Sequence, residues 1–276
     1  MKKITAILTA FVMTAGLYAQ DMPQPSPSAS VMQRVGLTDI TVNYSRPGVK
    51  SRKIFGDLVP YDKMWRTGAN KATTITFSTD AKLNGQDIKA GTYSLFTVPG
   101  ELDWMIILNK DTELWGTGGY TQRNDALRIR VKPTTGEFVE RFTISMDNLT
   151  DNSADLILAW STTKVVIPIT VATEAFVEDN IQKGLTDAAR ACRAAAESSA
   201  KKKDFENALK YIDQSIALNN YWYTNWMKAE ILAQSGDKKA AKKQAETALQ
   251  MGEEYYSSRN EPFTYKEELQ KEMAEW

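Results

Sequence analysis

Apolar and polar residues alternate in short runs over the first part of the chain and fall into longer helical stripes from about residue 174 onward. In residues 39–46, Ile40, Val42 and Tyr44 alternate with Thr41, Asn43 and Ser45. A period of two puts one set on a buried face and the other toward solvent, as in a half-buried strand. Residues 73–79 repeat the pattern with Ile75 and Phe77, and residues 91–98 form another run closed by Pro99-Gly100. Asn84-Gly85 predicts a two-residue hairpin, because a type I′ turn needs positive φ at both central positions. Residues 104–108 are continuously apolar and predict a fully buried strand. Leu127, Ile129 and Val131 mark the next strand, and Phe138, Phe142, Ile144 and Met146 the one after. Leu156, Leu158 and Trp160 predict one further strand, and Val165, Ile167, Ile169 and Val171 a separate one. Pro168 cannot donate to a ladder, which places that last strand at an edge.

About eight or nine short strands at roughly ten-residue spacing, with no helical pattern between them, predict an antiparallel β-sandwich or jelly roll. A parallel sheet would need crossover helices. Past Glu174 the composition shifts to alanine, lysine and glutamate. Helices are predicted over residues 178–199, then on the stripe Phe205, Ala208, Leu209, Ile212, Ile216, Leu218, then around Trp226, around Ala241 to Leu249, and from Phe263 to Trp276 after Pro262. Asp204 and Asp237 lie 33 residues apart, with Ala208/Ala241, Ile212/Ala245 and Ser215/Ala248 in register. This resembles tetratricopeptide (TPR) repeats of about 34 residues, in which small side chains let paired helices approach closely. The expected fold class is therefore multidomain, all-β followed by an all-α, TPR-like helical array.

The chain begins Met1-Lys2-Lys3, followed by an apolar run to Leu17 and then Tyr18-Ala19-Gln20. A basic start, a short apolar core and a small residue at the cut are the parts of a secretory signal, too short for a membrane span of about 20 residues. Cleavage is expected after Ala19, giving a periplasmic or secreted protein with no transmembrane span. The predicted layout is residues 1–19 signal peptide, 20–30 a mobile Pro/Ser-rich linker, 31–173 the β domain and 178–276 the helical domain. Loss of Lys2 and Lys3 leaves 32 basic against 34 acidic side chains, which gives no electrostatic footprint for nucleic acid.

The chain has no histidine, and Cys192 is its one cysteine. Ser-His-Asp and Cys-His catalysis are excluded, as are His- or Cys-based zinc sites. No metal, cofactor or catalytic residue is predicted. Ser161-Thr162-Thr163-Lys164 spells Ser-x-x-Lys, but it falls between predicted strands and not at the helix start that motif needs.

The motifs Tyr44-Ser45-Arg46-Pro47, Arg52-Lys53-Ile54-Phe55-Gly56, Leu58-Val59-Pro60-Tyr61, Trp65-Arg66-Thr67-Gly68-Ala69-Asn70 and Ala90-Gly91-Thr92-Tyr93-Ser94-Leu95-Phe96 occur in that order. From about Val31 to Val171 the chain resembles the DUF2911 family, exported proteins of unknown function frequent in Bacteroidetes. The resemblance implies export and a β fold, some members carrying a helical tail. The family tends to carry an acid after the Asn70 position, where this chain has Lys71.

Arg46, Arg52 and Arg66 sit in loops beside Pro or Gly. They either converge on an anion, which the guanidinium fork suits, or lock the loops against Asp39, Asp57 or Asp62. Asn70 is a turn or strand cap, Gly68 a positive-φ position, and Trp65 a core anchor. Trp115, in the glycine-rich run Leu114-Trp115-Gly116-Thr117-Gly118-Gly119-Tyr120, is the candidate exposed platform. The expected ligand-binding set is therefore Arg46, Arg52, Arg66, Asn70 and Trp115, for a small anionic or sugar ligand. Tyr221, Trp222 and Tyr223 are expected to extend to the β domain or to a partner peptide, and residues 178–276 are the expected protein- or peptide-contact region. The leading expectation is an exported, non-catalytic envelope protein. The alternative is a carbohydrate-active or other hydrolase using carboxylates, with Asp103, Asp111, Asp125 and Asp147 in predicted turns.

Overall fold

The computed structural model describes residues 23–276. The expected signal peptide lies outside the described residues. The chain divides into two compact units, the first ending at Ala172 and the second spanning Thr173–Trp276.

The first unit is two antiparallel sheets. Six strands, β1 (Ser28–Val35), β2 (Thr38–Ser45), β3 (Thr73–Phe77), β6 (Gly91–Val98), β7 (Trp104–Asn109) and β8 (Asp125–Val131), lie side by side in the order β1-β2-β3-β6-β7-β8. The remaining four, β4 (Ala81–Leu83), β5 (Gln86–Ile88), β9 (Pro133–Asp147) and β10 (Ser153–Val171), are ordered β5-β4-β10-β9. The predicted hairpin joins β4 to β5, with φ of 47° at Asn84 and 79° at Gly85. One hydrophobic cluster draws on both sheets, taking Ile40, Ile75, Leu95 and Trp104 from the larger and Phe142, Leu156, Trp160 and Ile167 from the smaller.

The unbroken apolar run in β7 has a direct cause. Trp104, Ile106 and Leu108 enter that shared cluster, while Ile107 joins a second one with Phe96 and Ala72. Leu114, Tyr120 and Met64 pack against this second cluster. Both faces of the strand are therefore covered, the second by the loops around residues 64 and 114–120.

Three expectations are corrected. The segments around Leu158 and around Ile167 are one strand, β10, and not two. Ser161, whose φ is 54°, still pairs with Val139, and the register shifts on either side of it, between Ala159 and Ser161 and between Ser161 and Thr163. At each shift β9 advances four residues for two of β10, so the extra residues lie on β9 and β10 runs on unbroken. Pro168 is not on an edge strand, because β10 lies between β4 and β9. It is tolerated there because β9 pairing ends at Val165 and β4 pairing starts at Ile169, and its carbonyl accepts from Asn84 N at 2.7 Å. Finally, the Pro/Ser-rich lead-in becomes strand at Ser28, and residues 25–27 are tied down. Arg46 N donates to Pro27 O at 2.9 Å, Asn70 Nδ2 to Ser26 O at 3.2 Å and Arg141 Nη1 to Pro25 O at 3.4 Å.

The second unit has five helices: α1 (Thr173–Lys201), α2 (Phe205–Leu218), α3 (Trp222–Ser235), α4 (Lys238–Ser257) and α5 (Lys266–Glu275). α1 starts five residues before its predicted position, and α3 opens at Trp222, ahead of Trp226. Each helix packs on the next in sequence. Asp204 and Asp237 cap α2 and α4 alike, each side chain accepting from the backbone N–H three residues on, Asn207 and Ala240. Such caps satisfy orphan donors of the first turn. Ala208 and Ala241, Ile212 and Ala245, and Ser215 and Ala248 are all fully buried, so the 33-residue offset read in the sequence is also an offset in burial. Among the described residues no helix is long and apolar enough to cross a membrane.

Candidate functional site

The segment Trp65-Arg66-Thr67-Gly68-Ala69-Asn70 is rooted in an aromatic cluster. The Trp65 ring stacks on Trp160 with centroids 5.7 Å apart and planes at 17°. Phe142 meets it edge-on at 5.1 Å and Phe55 at 5.9 Å. Its indole donates to Gly68 O at 3.0 Å, and its backbone exchanges two hydrogen bonds with Thr97. Trp65 is thus the buried anchor that its sequence context predicts.

The backbone beyond Trp65 is forced into an uncommon shape. Thr67, a β-branched residue, has φ of 55°, and Asn70 has φ of 59°. Left-handed geometry at a β-branched residue costs on the order of 1–3 kcal/mol and persists only where the surroundings fix it. Here Thr67 is fully buried, its carbonyl accepts from Thr73 Oγ1 at 2.6 Å, and its hydroxyl donates to Thr97 Oγ1 at 3.2 Å. Gly68, with φ of 152°, has no room for a side chain: a Cβ would stand 3.0 Å from Ser45 O. The consequence is a rigid presentation of Arg66 and the Gly68-Ala69 backbone.

These residues line a pocket of about 370 Å³. Arg52, Leu58, Val59, Met64 and Pro47 come from the same loop region, Thr117 from the glycine-rich loop, Ser26 from the lead-in, and Trp160 from β10. None of the lining residues is acidic. The Arg66 Nε and the Trp160 Nε1 are both buried and have no hydrogen-bond partner among the described residues. A buried donor left unpaired costs about 1–3 kcal/mol, more when charged, so two on one pocket need a physical account. The guanidinium of Arg66 reaches Gly116, where a Cβ would lie 3.1 Å from Nη1. Gly116 has φ of 77°, so both the turn and the neighbouring cation favour glycine there.

The sequence-derived set separates into three groups. Arg52 and Arg66 line the pocket. Arg46 and Asn70 do not; they brace its walls. Arg46 donates from Nε to Phe142 O at 3.1 Å and from Nη2 to Thr143 Oγ1 at 2.7 Å. Asn70 ties Ser26 in place and also reaches Ser45 Oγ at 3.4 Å. Trp115 lies outside the lining but is 72% exposed, so it keeps the accessibility expected of a platform. Lys71 pairs with Glu113 at 2.9 Å on the surface.

The expected pairing of these arginines with Asp39, Asp57 or Asp62 does not occur. Among the described residues none of the three makes an ion pair; Arg52 instead donates from Nε to Val49 O at 3.0 Å and from Nη2 to Gly48 O at 2.6 Å, and Asp39 faces Arg34. Carbonyl partners leave the positive charge of Arg52 uncompensated.

The glycine-rich loop is fastened at its end by Tyr120, whose hydroxyl donates to Asp125 Oδ2 at 2.7 Å. Burial first, then that carboxylate, pushes the phenol pKa up to about 12, so the donor keeps its proton. Asp125 is committed to this bond, to Asn109 and to Arg128. Asp103, Asp111, Asp125 and Asp147 are all absent from the lining of this pocket. A wider groove of about 520 Å³ runs past Ser28, Asn43 and Lys71, but neither unpartnered donor belongs to it.

Trp160 and Ser26 were not visible as pocket residues in the sequence. Trp160 sits in an apolar run that marks it as core, which it also is at 2% exposure. Ser26 lies in a stretch whose composition reads as linker. Among the described residues no group of His, Cys, Asp and Glu is placed to hold a metal ion. Comparison with curated proteins and with solved structures found no match to either. A family model described as a protein of unknown function (DUF2911) matches residues 26–169, more than half of the chain, and the protein belongs to that family.

Proposed function

We propose that the protein is an exported binding module, whose β unit is a sandwich that takes a small anionic ligand in the pocket between Arg52, Arg66 and Trp160. The observation that carries this reading is the pair of buried, unpartnered donors, Arg66 Nε and Trp160 Nε1, on a pocket with two guanidinium groups and no acid. Donors with no protein acceptor favour a ligand that brings acceptor oxygens and negative charge. Export rests on residues 1–19, and the purified extracellular or periplasmic protein is expected to begin at Gln20 when its N-terminus is sequenced. The helical unit is read as a TPR-like array for protein contact. The shared caps and buried positions at the 33-residue offset support that reading, as does the exposed stripe Val177, Ile181 and Leu185 on α1.

The test is a thermal-shift titration of the protein with phosphate, sulfate, simple carboxylates and neutral sugars. At least one anion is expected to raise the melting temperature in proportion to the logarithm of its concentration. The rise is expected to disappear in Arg66→Met. If no anion shifts the wild type, the binding reading is wrong.

A further inference from the structure

Resting on that reading, we infer that the ligand is a hydroxylated carboxylate about the size of one sugar acid, and not a phosphate ester. The donor inventory decides the anion. Arg66 brings a guanidinium whose buried Nε has no partner among the described residues, and Trp160 a buried indole N–H with none. Arg52 has already committed Nε and Nη2 to the carbonyls of Val49 and Gly48. No lysine lines the pocket, and among the described residues of this unit no helix lies beyond a three-residue turn at Gln122–Asn124, away from the lining. Phosphate sites draw on helix N-termini, lysines or clustered cations to satisfy three or more oxygens and close to two charges. A carboxylate carries one charge on two oxygens in a plane, which one guanidinium edge and one further N–H satisfy.

The body of the ligand follows from the walls. A pocket of about 370 Å³ is at the small end for organic ligands and fits one ring, not a chain of them. Its lining mixes apolar residues, Leu58, Met64, Trp65 and Trp160 among them, with the polar Ser26, Thr117 and Arg52. A mixed lining of this kind matches a molecule with C–H faces and hydroxyl edges. The backbone at Thr67 is fixed by its neighbours, and Gly116 leaves room for the Arg66 guanidinium.

The experiment is isothermal titration calorimetry on the whole protein with glucuronate, galacturonate, glucose, inorganic phosphate, glucose 6-phosphate and benzoate. A uronate is expected to bind, and glucose, which lacks the carboxylate, to bind at least about tenfold more weakly, as does uronate on Arg66→Lys, which keeps the charge but loses the fork. Trp160→Phe keeps a ring and removes the one donor; circular dichroism and melting confirm that it folds, and its uronate affinity is expected to fall by about tenfold. Phosphate or glucose 6-phosphate binding more tightly than either uronate overturns the carboxylate assignment while leaving an anion site. Benzoate binding more tightly than the uronates overturns the hydroxylated body. No heat with any probe removes the site altogether.

Discussion

In the first unit the largest fully buried side chains are Trp160, Phe77, Phe96 and Phe142, whereas in the second the fully buried positions are mostly alanines: Ala196, Ala208, Ala229, Ala241, Ala245 and Ala248. The difference follows from the elements. Strands stand their side chains off the sheet, and large side chains from both sheets fill the one shared cluster. Helices that cross with small residues at the contact bring their backbones closer, and little volume remains to fill. The two units therefore respond to opposite kinds of substitution. Large-to-small changes injure the first, and small-to-large changes injure the second.

The largest expected effect tests the first half of that contrast. Trp65→Ala removes a ring in contact with Phe55, Trp104, Phe142 and Trp160, together with the bond to Gly68 O. A loss of about 3–5 kcal/mol is expected from the β unit, read as a lower denaturant midpoint in tryptophan fluorescence. In the second unit, Ala241→Leu is expected to lose about 1–3 kcal/mol by overpacking, read from helix melting in far-UV circular dichroism. If Ala241→Leu is neutral, the close-packed account of the helices is wrong.

Smaller effects bear on the helical unit alone. Asp204→Ala and Asp237→Ala remove equivalent caps, so each is expected to cost about 1 kcal/mol. Very unequal losses would argue that the two segments are not equivalent. Glu230 gives the smallest effect. Burial first, then the charge of Glu272, hold its carboxyl above the usual glutamate value of 4.5. A carboxyl raised on folding stabilises the fold below its unfolded value, and that contribution is lost as pH rises through the folded value. Glu230→Gln is therefore expected to raise the helical melting temperature at neutral pH. The gain is expected to vanish as pH falls to about 4.5, where the native glutamate is itself protonated.

How much of this was legible follows from the range of each interaction. Alternation marks β2, β3 and β6 because burial on one face of a strand leaves a local period of two. The continuity of β10 left no such mark. Ser161 to Lys164 is polar and reads as a turn, yet Ser161, Thr163 and Lys164 all pair with β9, whose extra residues take up the irregularity. In the helical unit the Asp caps and small residues are local signals, so all five helices and their offset were readable. The pocket was half legible. Arg52 and Arg66 stand out in Pro- and Gly-rich loops, but Ser26, Arg66 and Trp160 are brought together only by the fold. The acids flanking the arginines were misleading partners, because the loops turn the guanidinium groups of Arg46 and Arg52 toward carbonyls.

Among the described residues each unit holds one buried indole N–H without a hydrogen-bond partner, Trp160 in the first and Trp222 in the second. Trp222 is enclosed by aromatic rings, with Phe263 at 5.1 Å and Tyr265 at 6.0 Å, whereas Trp160 lines the pocket. The indole N–H region of the proton–nitrogen NMR spectrum, followed during titration with glucuronate, separates the two, the Trp160 signal being assigned by its loss in Trp160→Phe. The account predicts that the Trp160 resonance moves downfield and saturates with the binding curve, while that of Trp222 stays in place. A Trp160 resonance that does not move while the ligand binds would contradict it.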